Sequence, residues 1–280
     1  MPPGLPPAPI ADSVRSMKTK VIQTETPPGT RVRASFMKRH RLVTFFVLAF
    51  VFAWWSWPLA RFDIWPRQEF HAVGALLAAI VVIALADGKP GFIELGRRMI
   101  RWRVKWYFYA FALLVPMVVR VVMTMLNDAP APDWLNLSWS AFALWFLVRL
   151  VNPLDGPLAE EPSWRGFAVP HLQALHTPLV SAAILGVLVA LWHLLLIGDT
   201  GAIGIATTFV ITFVYVWLFN RTGGSVLLVL LFHSAQGFVT MRDLGYTGDG
   251  LARQELLEFV AWTVVALTLI LADRKAWRSA

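Results

Sequence analysis

The sequence has no cysteine and few charges: of 280 residues, only 15% are Asp, Glu, Lys or Arg. The first absence excludes disulfides, thiolate zinc sites and cysteine nucleophiles together. Any hydrolytic or metal chemistry must therefore use imidazole, carboxylate or hydroxyl groups. No HExxH and no Ser-His-Asp set is visible, so a zincin or a soluble-type serine protease is not supported. No internal repeat is visible either, which argues against a transporter built from two related halves. A soluble domain usually carries about a quarter charged residues. Here the shortfall accompanies 57% hydrophobic residues arranged in long runs, and the bilayer is the natural solvent. Fourteen Trp and eight Met fit interfacial anchoring and adaptable packing rather than a cofactor.

Residues 1–41 read as a disordered basic cytoplasmic tail, rich in Pro and without apolar periodicity. No signal peptide is expected, because the first apolar run starts only after Arg41 and is too long for a signal core. Residues 42–280 form the membrane-embedded domain. Runs of the length that crosses about 30 Å of hydrocarbon recur near 42–60, 70–86, 106–126, 137–154, 178–197, 202–219, 225–240 and 256–272. The expected fold is all-α, a polytopic membrane bundle of about eight transmembrane helices.

The net charge of +8 raises the question of nucleic acid, and its distribution answers it. Lys18, Lys20, Arg31, Arg33, Lys38, Arg39 and Arg41 lie in the tail. Lys89, Arg97, Arg98, Arg101, Arg103 and Lys105 lie between the second and third spans, and Arg274, Lys275 and Arg278 at the C-terminus. Eight spans put all three clusters on one side, as the positive-inside rule requires. The expectation is a multi-pass protein of the plasma or inner membrane with both termini cytoplasmic. Its partners are membrane lipids and a membrane-associated or lipidated peptide, with no nucleic acid. Segment 90–105, with Phe92, Ile93, Leu95 and Ile100 among arginines, reads as an interfacial helix against anionic headgroups.

Charge inside the apolar runs is costly, at least about 2.5–3.5 kcal/mol per group near the bilayer centre. Arg120 and Arg149 lie near span ends and read as snorkelling side chains. His40, His71, His171 and His176 lie in the tail or at span ends. His193 and His233 sit inside apolar segments, and "LAEEPSWRGFAVP" at 158–170 places Glu160, Glu161 and Arg165 between two others. Helical spacing pairs Glu161 with Arg165 and turns Glu160 about 100° away. Pro162 disturbs that helix, a break that survives in a membrane only where protein or a water-filled cavity satisfies the backbone. A surface salt bridge on an interfacial loop would explain the segment alone. Two intramembrane histidines on other spans favour a site, in which the carboxylate and imidazoles share a water.

Three stretches in order resemble a known family. "EEPSWRG" is similar to the EExxxR signature of the CAAX prenyl endopeptidase and bacteriocin-processing (CPBP, Abi) intramembrane proteases. "LWHL" is similar to their second motif, FxxxH, and "FNRTGGSVLLVLLFHSAQG" to their third, HxxxN. The resemblance covers about residues 90–240. It implies an intramembrane endopeptidase in which Glu160 activates water with help from a histidine. Glu161 and Arg165 fill the rest of the first motif, and His193 and His233 supply the other two. The later histidine and the motif Asn stabilise the oxyanion. If a divalent metal such as zinc is bound, its ligands are Glu160, His193 and His233. The sequence departs from the pattern at Val189, where the motif has Phe, and at Gly237, where it has Asn. Gln236 lies on the same helical face three residues after His233 and can bring its amide to the place of the Asn. A non-catalytic relative acting in immunity or as a membrane peptide-binding protein, and a small-solute transporter with Glu and His as a proton relay, are the alternatives.

Overall fold

The computed structural model describes residues 38–62, 64, 70–129, 138–154, 156–238 and 244–278. The expected tail lies outside them up to residue 37. The described chain is 84% helical and has no strands. Its elements are α1 (Arg41–Trp54), α2 (Trp57–Arg61), α3 (Val73–Val82), α4 (Gly88–Met99), α5 (Trp106–Leu126) and α6 (Trp139–Val151). They continue with α7 (Gly156–Glu161), α8 (Val169–Gln173), α9 (Pro178–Trp192), α10 (Ile197–Arg221), α11 (Val226–Gln236), α12 (Gly248–Ala272) and α13 (Arg274–Arg278).

Among the described residues, six stretches are long and apolar enough to cross a membrane: Arg41–Arg61, Val73–Met99, Trp106–Leu126, Pro178–Leu196, Gly201–Arg221 and Gly248–Ala272. The fourth and seventh expected spans are shorter than the sequence suggested. Helix α6 has 13 residues and α11 has 11, about 20 Å and 17 Å at the helical rise. Each stops for a local reason. Asn152 turns extended before Pro153, and α11 ends at Gly237. The end of α11 borders the polar site described below. Of the segment 90–105, expected as one helix, the structure has helix only to Met99, in α4, which is reached from α3 through a wide π-type turn at Ile83–Asp87 and a left-handed Gly88 (φ 61°). Leu95 is its buried face, and Phe92 and Ile93 stay exposed.

The bundle core begins with a small-residue contact. Ala49 and Ala53 of α1 meet Ala75, Ala78 and Ala79 of α3 in one fully buried cluster. A Cβ on Gly74 would lie 2.4 Å from the Ala53 nitrogen, so only glycine allows these backbones to approach so closely. This pair carries α9 with it: Trp192 donates to the Ala49 carbonyl at 3.1 Å, and Trp54 to the Trp192 carbonyl at 3.0 Å. His193, the next residue, is fixed in place by that exchange.

Contacts sort the basic segments to one end. Arg41 pairs with Asp87 at 3.1 Å, Arg98 donates to the Gly166 carbonyl at 2.7 Å, and Ser225 donates to the Arg101 carbonyl at 2.6 Å. Arg221 pairs with Asp273 at 3.1 Å beside the C-terminal helix. The opposite end joins Asn127 to the Gly250 carbonyl at 3.0 Å and Asp128 to Arg253. Arg120 does not snorkel. It pairs inside the bundle with buried Glu258, which also accepts from Gln254 at 3.0 Å.

This sorting generates a topology prediction. Reporter fusions after Lys275 and within residues 128–136 should report opposite sides, the first cytoplasmic. The same signal from both would refute two cytoplasmic termini.

Candidate active site

The first motif lies on a continuous helical path, not on a loop. Helix α7 runs to Glu161, and Pro162–Ala168 then winds as a π-type turn into α8. Pro162 has no N–H to donate, so the winding loosens rather than breaks. The segment is fully inside protein: every residue from Ala159 to Val169 is buried. Neighbouring side chains take up its carbonyls. Ser163 donates to the Ala159 carbonyl at 2.8 Å, Arg98 to the Gly166 carbonyl at 2.7 Å, and His171 Nδ1 to the Phe167 carbonyl at 2.7 Å. Trp164 wedges the turn against Phe45 and Trp192, with ring centroids 5.4 and 5.2 Å away.

Glu161 and Arg165 pair as the spacing predicts, at 3.1 Å, and both are buried. The same Glu161 oxygen lies 2.8 Å from His233 Nδ1. A carboxylate can only accept, so His233 carries its proton on Nδ1 and turns Nε2 elsewhere. The Arg165 guanidinium stacks over the Tyr215 ring, 4.2 Å from its centroid. One buried carboxylate thus joins the first motif to α11 and, through Arg165, to α10.

Glu160 points the other way, as expected. Its Oε2 is 3.9 Å from His193 Nε2, too far for a direct hydrogen bond and suited to a bridging water. His193 sits just past α9 in a 3₁₀ turn, and its Nδ1 donates to the Val189 carbonyl at 2.8 Å. Its Nε2 therefore faces Glu160 with a lone pair. Gly156, one turn before Glu160, makes room for the carboxylate: a Cβ there would stand 2.7 Å from Glu160 Oε1 and 3.9 Å from His233 Cε1.

A cavity of about 110 Å³ is lined by Glu160, Arg165, His193, Tyr215, His233 and Gln236. At about 30 Å³ per liquid water it has room for a few molecules. Val189 forms part of its wall, so the Phe-to-Val departure alters shape and leaves the carbonyl anchor of His193 intact. Tyr215 donates to Gln236 Oε1 at 2.6 Å, which engages the amide oxygen and leaves the NH₂ group to serve the cavity. Glu160, His193, His233, Arg165 and Gln236 converge as the sequence suggested, with Glu161 behind them. As placed, Glu160, His193 and His233 do not form a metal-binding set. Among the described residues no three His, Asp or Glu side chains could hold an ion.

The sequence does not single out Tyr215 at the cavity or Arg149 beside it. Tyr215 had a signal: Thr208, Thr212 and Tyr215 recur at i, i+4 and i+7 and line one face of α10 toward the cavity. Arg149 was misread as snorkelling. Its Nη1 donates to the Gly237 carbonyl at 2.9 Å, inside the bundle. A side chain at Gly237 meets it directly, since a Cβ would lie 1.8 Å from that nitrogen. Replacing Gly237 by Asn to rebuild the motif amide, which the sequence alone permits, therefore requires the Arg149 guanidinium to leave the Gly237 carbonyl.

No curated protein matches the chain. Residues 138–239 match the family model described as Type II CAAX prenyl endopeptidase Rce1-like. That stretch contains Glu160, Glu161, Arg165, His193, His233 and Gln236, and its similarity to that family agrees with the resemblance carried by the three motifs.

Proposed function

We propose that the protein is an intramembrane endopeptidase that hydrolyses a peptide bond in a membrane-associated or lipidated protein, with Glu160 as the base. The observation that carries this reading is the separation of 3.9 Å between Glu160 and His193 across a cavity sized for water. A water held between them gives a proton to the Glu160 carboxylate, and His193 Nε2 orients it. The hydroxide adds to the substrate carbonyl carbon. The oxyanion that forms accepts from the Gln236 NH₂, which Tyr215 holds toward the cavity. The C–N bond then breaks, and Glu160 returns its proton to the leaving nitrogen. His233 is held by its Nδ1–H bond to Glu161, so its Nε2 lone pair faces the cavity and can accept from the hydroxyl of the tetrahedral intermediate while Gln236 serves the oxyanion. A Rce1-like match over residues 138–239 supports peptidase chemistry for this segment.

The replacement of the third-motif Asn by Gly237 favours a second reading, a non-catalytic relative that binds a membrane peptide. One comparison separates the two. Quantitative proteomics of membrane-protein termini should show new termini in wild type that are missing in Glu160→Gln, with equal abundance of both proteins in the membrane. Identical termini would leave the binding reading standing.

Glu161 and Arg165 should behave differently from Glu160. Removing either partner leaves a buried charge without compensation, at a cost of about 3–5 kcal/mol. Glu161→Ala and Arg165→Ala should therefore lower the yield of folded protein in detergent, where Glu160→Gln does not. Equal yields for all three would contradict the buried-pair assignment.

For Gln236 the expected loss is catalytic. Gln236→Ala should slow turnover by roughly two to three decades with KM little changed, the scale of one oxyanion donor. Tyr215→Phe should cost less, and in the Gln236→Ala background it should cost nothing further. Full additivity of the two would mean that Tyr215 does not act through Gln236.

A further inference from the structure

Gly237 has a backbone that any residue can adopt, φ −93° and ψ 13°, so conformation does not explain its being glycine. Space does. The Arg149 guanidinium lies across its α-carbon: a Cβ would stand 1.8 Å from Nη1, 2.5 Å from Cζ and 2.9 Å from Nη2. All three atoms of that planar group would have to move, and they belong to a side chain held by its own bond to the Gly237 carbonyl at 2.9 Å.

That carbonyl is the first beyond α11, the helix that presents His233 and Gln236. A cation there complements the helix dipole and supplies a donor to a terminal carbonyl. Arg149 itself stands in the last turn of α6, which leads through Asn152 to Gly156 and Glu160. Its contact is one of a row. Phe238 packs against Phe142 and Phe146 of α6 at centroid distances of 5.8 and 6.1 Å. Phe142, Phe146 and Arg149 are spaced i, i+4 and i+7, a single helical face turned to the end of α11. The chain entering the Glu160 segment and the chain leaving the His233 segment are joined at this point, between two helices that both stop short of a full crossing.

We infer that Arg149 and Gly237 form a positioning pair: the guanidinium, seated on the glycine, fixes the end of α11 and with it the distance from Glu160 to the Gln236 amide. Arg149 is not in the cavity wall, so its action on the reaction passes through Gln236 and His233. This rests on the endopeptidase reading for its catalytic consequence and on packing alone for its steric one.

Two measurements on the full-length protein in detergent test the two parts. Thermal stability is read for wild type, Gly237→Ala, Arg149→Ala and the double variant. Gly237→Ala should lower the melting temperature when Arg149 is present and leave it unchanged or raised when Arg149 is alanine. An equal effect in both backgrounds overturns the steric pair, whatever the protein's activity. Turnover is read on a peptide spanning the cleavage site that the terminal comparison identifies. Arg149→Ala should reduce kcat about tenfold or more, the scale of a lost charged hydrogen bond, with KM within about twofold. Added methylguanidinium should restore part of kcat in Arg149→Ala and none in Arg149→Ala/Gly237→Ala, where the seat is filled. Coupled stabilities with an unchanged kcat would make the pair structural only and refute the positioning role. If Glu160→Gln leaves the termini unaltered, the endopeptidase reading fails by itself and the stability cycle still decides the pair.

Discussion

The structure turns on one buried carboxylate. Glu161 has no solvent exposure, and one of its oxygens binds both Arg165 and His233. An unpaired charge there would cost several kcal/mol, so the three side chains must be brought together for the bundle to form at all. Their union fixes more than charge. Arg165 follows Glu161 by one turn, His233 belongs to α11, and the guanidinium rests on Tyr215 of α10. Three segments distant in sequence thus share one polar centre. The orientation of His233 is a by-product of that packing, since its Nδ1 has no alternative but to donate to Glu161.

The backbone around this centre is irregular, and its irregularity is covered. A π-type turn after Pro162 lets successive residues face different partners: Glu160 toward His193, Glu161 toward His233, Trp164 toward the aromatic core. A regular helix through the same residues would keep Pro162 in conflict with the carbonyl four residues earlier. In lipid the loosened carbonyls would have no donors. Here Ser163, Arg98 and His171 supply them, and Arg98 comes from the amphipathic helix α4. The helix whose sequence suggests only contact with lipid headgroups therefore also supports the first motif.

Much of this was legible beforehand, for identifiable reasons. Apolar run length reports burial in hydrocarbon directly, so four of the six long stretches match the expected runs within two residues, while Val73–Met99 runs 13 residues past the expected end at 86 and Gly248–Ala272 starts eight residues before the expected 256. Polar residues in apolar runs are costly, and that cost singled out Glu160, Glu161, Arg165, His193 and His233. What run length cannot report is where a helix stops, and α6 and α11 are shorter than their apolar runs. Nor does position along a span reveal which way an arginine turns. Arg120 and Arg149 both lie close enough to a span end to snorkel, yet each finds a partner in the interior, Glu258 for one and the Gly237 carbonyl for the other. The glycine that made Arg149's place is visible in the sequence only as a missing asparagine.

The buried carboxylates also explain why one glutamate and not another suits the chemistry. Glu161 lies between a guanidinium and an imidazole, and Glu258 between Arg120 and Gln254. Each of these carboxylates has an oxygen taken up by neighbouring donors, and neither lines the cavity. Glu160 is as buried as Glu258, at 6% against 5% exposure, yet its nearest ionic partner among the described residues is His193 at 3.9 Å. The gap is filled by cavity rather than by side chain, and Gly156 keeps it open. The adjacent residues Glu160 and Glu161 thus divide the work. Glu161, through Oε1, holds the arginine and the second histidine and organises the bundle, which leaves Glu160 to face His193 across the cavity.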